Sequence, residues 1–211
     1  ELFHGPTLAF KDFAMSLIGQ MMQAALAKTG ERITIVGATS GDTGSAAMEA
    51  FRGLANVDVF ILFPHGRVSE VQRRQMTTLD ADNIHPLAVK GTFDDCQDMV
   101  KKAFLDPELV HKNLTSANSI NIARWLPQMF YCMFAYKDLK KLQKPIVFSC
   151  PSGNFGNICA GIMAKKLGLP IAHFVASTNA NNTVPRFLEN GHYDPKPSRA
   201  TISNAMDVGN P

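Results

Sequence analysis

The sequence predicts an α/β fold in which helices cover two sheets of the parallel type. Short β-branched runs alternate with helix-forming segments along most of the chain, an order that is typical of parallel sheets. Two of these runs lead into loops of small residues that open a helix, at residues 37–44 and 150–157. Since 45% of the 211 residues are hydrophobic, they can bury the core of one large domain or of two small ones.

Composition and charge exclude several classes of protein. The 21 Lys and Arg residues exceed the 18 Asp and Glu residues by only three and are scattered, so we expect no nucleic-acid partner. No apolar run approaches the roughly 18 to 20 residues that a membrane span requires. The six histidines and four cysteines lack metal-ligand spacing, so no metal site is expected. We therefore expect a small-molecule partner and, in a reducing compartment, core thiols at Cys96, Cys132, Cys150 and Cys159.

The first elements are a short strand and a long helix. Residues 1–3 resemble an interior strand, and because the chain starts with Glu we expect it to be a segment of a longer protein. Apolar residues at every fourth position predict a helix over residues 11–27, which Gly30 should end. The apolar stripe of this helix consists of Phe13, Leu17, Met21 and Ala25.

The remaining elements alternate between strands and helices. Further strands are predicted at residues 33–36, 57–63, 84–89, 146–149 and 171–176. Helices are predicted at residues 45–51, through Val71 and Met76, at 93–104, near 122–142, and through Ile158 and Ile162. In the helix near residues 122–142, Leu126, Phe130 and Phe134 share one face.

The two small-residue loops have the chemistry of anion sites. A strand that runs through a Gly-rich turn into a helix leaves unpaired N–H groups at the positive end of the helix dipole. Gly153 and Gly156 would let an anion approach the backbone closely. Neither loop matches the common nucleotide-binding motifs. Either loop alone could be an ordinary βα turn, whereas two of them favour two anions or one ligand that carries two.

Lys11 is the third candidate feature. It ends a turn that contains Gly5 and Pro6 and begins the first helix. A helix N-terminus disfavours a cation, and desolvation by Leu8 and Phe10 would add to this effect, so we expect the neutral, nucleophilic amine. Such an amine suits a lysine that forms an imine with a carbonyl cofactor. On these physical grounds alone, an ordinary surface lysine remains the alternative.

Several segments together resemble the threonine synthase family. They occur in the family's order and spacing and cover essentially the whole chain, and the last of them is similar to the bacterial and fungal branch. These segments are residues 3–13, 38–44, 118–121 with Arg124, 151–157 and 204–211.

The resemblance implies a pyridoxal 5'-phosphate enzyme with the tryptophan synthase β-like fold, which is fold type II. This fold has two parallel-type α/β domains with a cofactor cleft between them. Residues 1–17 and 114–211 would belong to the larger domain, which binds the cofactor phosphate. Residues 18–113 would form the smaller α/β domain.

The resemblance also implies roles for individual residues. Lys11 would be the Schiff-base lysine and the general acid and base, and Asp42 would lie near the ring hydroxyl, where relatives in the wider fold carry Asn. The cofactor phosphate would be bound by Ser152, Gly153, Asn154, Phe155, Gly156 and Asn157. The substrate carboxylate would be bound by Ser40, Gly41, Asp42 and Thr43, and the substrate phosphate by Asn118, Ser119 and Arg124.

The implied reaction converts O-phospho-L-homoserine and water into L-threonine and phosphate in the cytoplasm. One alternative is a serine or threonine dehydratase, or a cysteine-synthase-like lyase, which would share Lys11 and the phosphate loop but would not need a patch at Asn118 and Arg124. Another is a non-catalytic protein that senses a phosphorylated ligand. The sequence leaves the oligomeric state open.

Overall fold

The computed structural model describes residues 1–211, which form two compact units, Glu1–Asn118 and Ser119–Pro211. Each unit contains a parallel sheet and helices, as the alternation of strands and helices predicts. No helix is both long and apolar enough to cross a bilayer. The domain division inferred from the resemblance, at residues 17 and 113, stays a prediction.

The first unit is built on a four-stranded parallel sheet in the order β3-β2-β1-β4. The strands are β1 (Ile33–Ala38), β2 (Val57–Pro64), β3 (Ile84–Val89) and β4 (Leu114–Thr115). The helices are α1 (Lys11–Thr29), α2 (Asp42–Phe51), α3 (Glu70–Thr77) and α4 (Phe93–Leu105), and a 3-10 helix spans Pro107–Lys112. Ile35, Val59 and Phe51 are fully buried in its core.

The long first helix is confirmed, but its buried face differs from the predicted one. Gly30 ends α1 in the left-handed conformation, with φ +71°, and its N–H bonds to the carbonyl of Leu26. The buried side consists of Ala14, Met15, Ile18, Gly19 and Leu26. In the predicted stripe, Phe13, Leu17 and Met21 are exposed. Because apolar residues occur on more than one side of this helix, a spacing of four could not identify the packed side.

The second unit contains two parallel strands and three helices. They are α5 (Trp125–Leu139), β5 (Ile146–Pro151), α6 (Gly156–Lys166), β6 (Ile171–Ser177) and α7 (Thr183–Asn190). Short 3-10 helices span Ile122–Arg124, Lys140–Leu142 and Asn204–Met206. The predicted helix near residues 122–142 is therefore an α-helix with a 3-10 turn at each end. Its predicted face of Leu126, Phe130 and Phe134 is exposed, whereas Gln128, Met129 and Cys132 are buried.

Some elements differ from the sequence predictions. Residues 1–3 form no strand, so that prediction is wrong. The sequence pattern does not indicate β4, because its two residues form no β-branched or aromatic run. This strand forms because β1 supplies its hydrogen-bonding partner. The sequence pattern does not indicate the helix α7, since Pro185 and neighbouring polar residues obscure its periodicity. Of the four expected core thiols, Cys96 and Cys132 are buried, whereas Cys150 and Cys159 are partly exposed.

Candidate functional site

Asp12, the residue after Lys11, holds the turn that leads into α1. Asp12 is buried, and its carboxylate accepts hydrogen bonds from the backbone N–H of Thr7 at 2.9 Å and from the Thr7 hydroxyl at 2.5 Å. Gly5 lies so close to Asp12 that a Cβ at this position would overlap the carboxylate. The turn therefore has a defined path into α1, and Lys11 is the first residue of that helix.

The Lys11 amine lies beside a carboxylate from α2. Lys11 Nζ is 3.7 Å from Asp42 Oδ2 and 5.4 Å from the centre of the Phe10 ring, and only 12% of the Lys11 side chain is exposed. Both contacts stabilise positive charge on Nζ, which opposes the effect of the helix N-terminus. Leu8 is 70% exposed, so it does not provide the apolar cover expected for the amine, whereas the Phe10 ring contacts it.

The loop between β1 and α2 is organised by Thr39. This residue is buried, and its Oγ1 accepts hydrogen bonds from the N–H groups of Gly41 and Gly44, each at 2.9 Å. The first-turn N–H groups of Asp42 and Thr43 have no acceptor within the helix, by their position at its start. They are the donors available to an anion at this end of α2.

Asn118 contacts the end of β1 through both ends of its side-chain amide. Its Nδ2 donates to the Ala38 carbonyl at 2.7 Å, and its Oδ1 accepts from the Ala38 N–H at 3.2 Å. The two residues meet because β4 pairs with β1 in parallel, so both strands end at the same edge of the sheet. Gly37 allows this approach, since a Cβ there would lie 2.7 Å from Asn118 Oδ1. In the structure Asn118 fixes the strand end from which the Thr39 loop leaves.

In the second unit, the loop between β5 and α6 is braced by its own polar side chains. The Ser152 hydroxyl donates to Asn157 Oδ1 at 2.6 Å and accepts from the Phe155 N–H at 2.9 Å. Asn157 Nδ2 donates to the Pro151 carbonyl at 3.0 Å. Phe155 is left-handed, with φ +59°, and directly precedes α6. The side chains of Ser152 and Asn157 thus support the loop and bind the N–H groups of Phe155 and Ile158. The N–H groups of Gly153, Asn154 and Gly156 remain as its anion donors.

Gly153 approaches the main chain of a distant segment. A Cβ at Gly153 would lie 2.8 Å from the Cα of Met206. The next residue, Asp207, is held in place by four hydrogen bonds to its carboxylate. They come from the Thr201 hydroxyl at 2.6 Å, the Thr201 N–H at 2.9 Å, Asn179 Nδ2 at 2.8 Å and Asn181 Nδ2 at 3.2 Å. The loop therefore rests on a segment with a fixed position.

Gly156, at the start of α6, packs against Ser119, one of the predicted substrate-phosphate residues. A Cβ at Gly156 would lie 2.7 Å from the Cβ of Ser119 and 3.6 Å from the indole nitrogen of Trp125. That indole nitrogen donates to the Ser119 carbonyl at 2.9 Å. The segment that begins at Ser119 and the loop that ends at Gly156 are thus neighbours within the second unit.

Arg124 is buried next to this segment. Only 5% of the residue is exposed, and burial lowers the pKa of its guanidinium to about 10, so it stays charged at neutral pH. Burying a cation costs free energy unless polar or anionic groups compensate it. An arginine that the fold holds in this environment is well suited to a doubly charged ligand such as phosphate.

Within each unit, the structure thus brings some of the predicted residues together. In the first unit Lys11 meets Asp42, and in the second Ser119 meets Gly156. Their functional roles stay predictions. The sequence reasoning missed four residues that support these sites, namely Asp12, Thr39, Gln72 and Trp125. For Gln72, whose Nε2 donates to Asp42 Oδ1 at 2.7 Å, the pattern Ser-x-x-Gln at Ser69 could have located the start of a helix but not this contact.

The comparisons with known proteins agree on one family. The family model described as pyridoxal-phosphate dependent enzyme matches residues 1–211. The threonine synthase of Haemophilus influenzae is 54% identical over 213 residues, which is 100% of this chain and 49% of that protein.

Two solved structures give the same result. The crystal structure of threonine synthase from Escherichia coli is 49% identical, with a TM-score of 0.93, and the match covers 100% of this chain and 49% of that one. The pyridoxal-phosphate-bound threonine synthase from Brucella melitensis is 52% identical, with a TM-score of 0.88, over 100% of this chain and 46% of that one. The chain thus spans about half the length of the relatives it matches.

Proposed function

Because the chain belongs to the family of pyridoxal-phosphate dependent enzymes, we propose that it carries the reactive lysine and the phosphate-binding loops of a threonine synthase. The reaction converts O-phospho-L-homoserine and water into L-threonine and phosphate. Relatives about half identical to this chain carry the name threonine synthase, which supports this choice within the family. A cytoplasmic location is part of the same proposal.

The residues of the chain fit pyridoxal phosphate. Gly153 and Gly156 let the loop before α6 pack closely on Met206 and Ser119, and the bonds within the loop leave the N–H groups of Gly153, Asn154 and Gly156 to bind the cofactor phosphate. Lys11 would hold the cofactor covalently. When bound, pyridoxal phosphate supplies an electron-accepting ring that stabilises negative charge at the substrate carbon next to the amino group.

The other residues bind the substrate and move protons. The Lys11 amine takes the proton from the substrate α-carbon and returns protons to the carbon chain, and Asp42 keeps the amine oriented. The N–H groups at the start of α2 bind the α-carboxylate, together with Ser40 and Thr43. Ser119 and Arg124 bind the substrate phosphate, and Asn118 fixes the strand end beside them in sequence.

One observation carries the choice of a phosphorylated substrate. Ser119 packs against Gly156 of the cofactor-phosphate loop, and Arg124 is buried in the same short segment. Two anion-binding groups side by side suit a substrate that brings its own phosphate. A dehydratase or a cysteine-synthase-like lyase that acts on an unphosphorylated amino acid has no need of the second group.

The decisive assay offers full-length protein the rival substrates separately. We expect phosphate and threonine from O-phospho-L-homoserine, and no keto acid from serine or threonine. Keto acid as the only product would establish the dehydratase alternative. Borohydride reduction with pyridoxal phosphate, followed by peptide mapping, should find the cofactor on Lys11; binding of O-phospho-L-homoserine without any lysine adduct would indicate the sensor alternative.

The role of Arg124 has a separate test. Arg124→Lys keeps the charge but loses the planar donor pair, so we expect the KM for O-phospho-L-homoserine to rise about tenfold or more, with a smaller change in kcat. Arg186→Lys, at a partly exposed ion pair with Asp194, is the matched control. An unchanged KM in the Arg124 variant would exclude this residue from the phosphate site.

A further inference from the structure

One side of α3 contacts both of the segments that meet at the reactive amine. Gln72 Nε2 donates to Asp42 Oδ1 at 2.7 Å, and Gln75 Nε2 donates to the backbone carbonyl of Thr7 at 3.1 Å. Since Gln72 and Gln75 are three residues apart, they lie on the same side of the helix. This side therefore contacts the start of α2, where Asp42 lies, and the turn that leads to Lys11.

The orientation of the Gln72 amide is fixed by the start of its own helix. Gln72 Oε1 accepts from the Ser69 N–H at 3.0 Å, and the Gln72 N–H donates to Ser69 Oγ at 3.2 Å, which together form a capping box. Because Oε1 accepts from Ser69, the cap residue of α3, the opposite end of the amide, Nε2, is directed toward Asp42. A donor in this place matches the acceptor character of a carboxylate.

Gly41 provides the space for this contact. Its φ is +143°, a backbone angle that residues other than glycine rarely adopt, and a Cβ at this position would overlap the Gln72 amide. The glycine before α2 is therefore required by the helix that packs over it as well as by the turn itself.

The charged residues of α3 take no part in the contact. Glu70 forms ion pairs with Arg73 at 2.7 Å and with Arg74 at 2.8 Å, on the exposed side of the helix. The group that meets Asp42 is thus a neutral donor, which can orient the carboxylate without competing for its charge.

We propose that Gln72 is a positioning residue for the reactive amine: it binds Oδ1 of Asp42 and thereby directs Oδ2 toward Lys11 Nζ, 3.7 Å away. Gln75 supports this arrangement from the other segment by holding Thr7. The inference deepens the proposed function, because it rests on the role of Lys11 in that site.

The test is a double-mutant cycle between Gln72 and Asp42 in full-length protein freed of cofactor. The readout is the rate at which trace acetic anhydride acetylates Lys11, measured by mass spectrometry against exposed lysines of the same chain. Without the carboxylate beside it, a larger fraction of the amine is neutral and reactive, so Asp42→Asn should speed acetylation about three- to tenfold. Gln72→Leu should give most of the same increase, and the double variant no further increase.

Ser69→Ala is the matched control, since it weakens the same capping box but retains the donor to Asp42. It should lower Tm without changing the rate at Lys11. The proposal is overturned if Gln72→Leu leaves the rate unchanged, if the two effects add in the double variant, or if Ser69→Ala speeds the reaction as much as Gln72→Leu does. Attachment of pyridoxal phosphate to Lys11 is measured separately, so a failure of the proposed function would not change this readout.

Discussion

At the scale of single residues, the two loop glycines differ in what surrounds them. Gly153 faces the main chain of Met206, whereas Gly156 faces the side chain of Ser119. The backbone of Met206, in a segment held by hydrogen bonds, can move less than the side chain of Ser119. An added methyl group should therefore be tolerated less well at Gly153 than at Gly156. The loop needs glycine for close packing at both places, with no requirement for a left-handed backbone at either.

We predict that Gly153→Ala lowers the affinity of the full-length protein for pyridoxal phosphate more than Gly156→Ala does. Gly153→Ala should weaken the free energy of cofactor binding by about 1 to 3 kcal/mol, because the loop must move away from Met206. Fluorescence titration with the cofactor measures the affinity of both variants. As a control, Gly168→Ala strains a backbone with φ +104° in open space, and should lower stability without changing cofactor affinity. Equal affinities for wild type and Gly153→Ala would contradict the packing argument.

At the scale of elements, local signals identified the two loops and most of the strands, because β-branched runs and small-residue turns act within a few residues. They did not identify which side of α1 or α5 is buried. Phe13 and Leu17 on α1, and Leu126 and Phe130 on α5, are as apolar as the residues that the structure buries instead. The packed side is chosen by long-range contacts, and so is the bond from Gln72 to Asp42, 30 residues away.

A capping box also begins α4, and its contribution can be measured. The Thr92 hydroxyl accepts from the Asp95 N–H at 3.2 Å, while the Asp95 carboxylate accepts from the Thr92 N–H at 2.7 Å. We predict that Thr92→Ala lowers the free energy of unfolding by about 1 kcal/mol, measured by urea titration, whereas Thr92→Ser changes it little. If Thr92→Ser were as destabilising as Thr92→Ala, the lost methyl group and not the cap would be responsible.

At the scale of the whole molecule, buried thiols should make stability depend on alkaline pH. Burial raises the pKa of Cys96 and of Cys132 to about 11, because a thiolate is poorly solvated in the core. In the unfolded chain these thiols ionise near their ordinary pKa of about 8.5. Between the two values the folded state binds more protons, so the free energy of unfolding falls as pH rises through this range.

The measurement is urea unfolding of the full-length protein at a series of pH values from neutral to alkaline. Cys96→Ala combined with Cys132→Ala should lower stability at neutral pH, since both side chains are buried, but should flatten the alkaline decline. A decline as steep in the double variant as in the wild type would mean that other groups are responsible. Cys150→Ala, at a partly exposed thiol, serves as the comparison.

The support of Gly153 by Met206 has a consequence for how the protein tolerates change. The position of Met206 depends on Asp207, whose carboxylate is held by Thr201, Asn179 and Asn181. In a saturation-mutagenesis screen for growth without added threonine, harmful substitutions should therefore cluster at Asp207 and Thr201. These positions lie some fifty residues along the chain from the loop that they support. Variants there would be misread as general folding defects unless cofactor occupancy were scored alongside protein abundance.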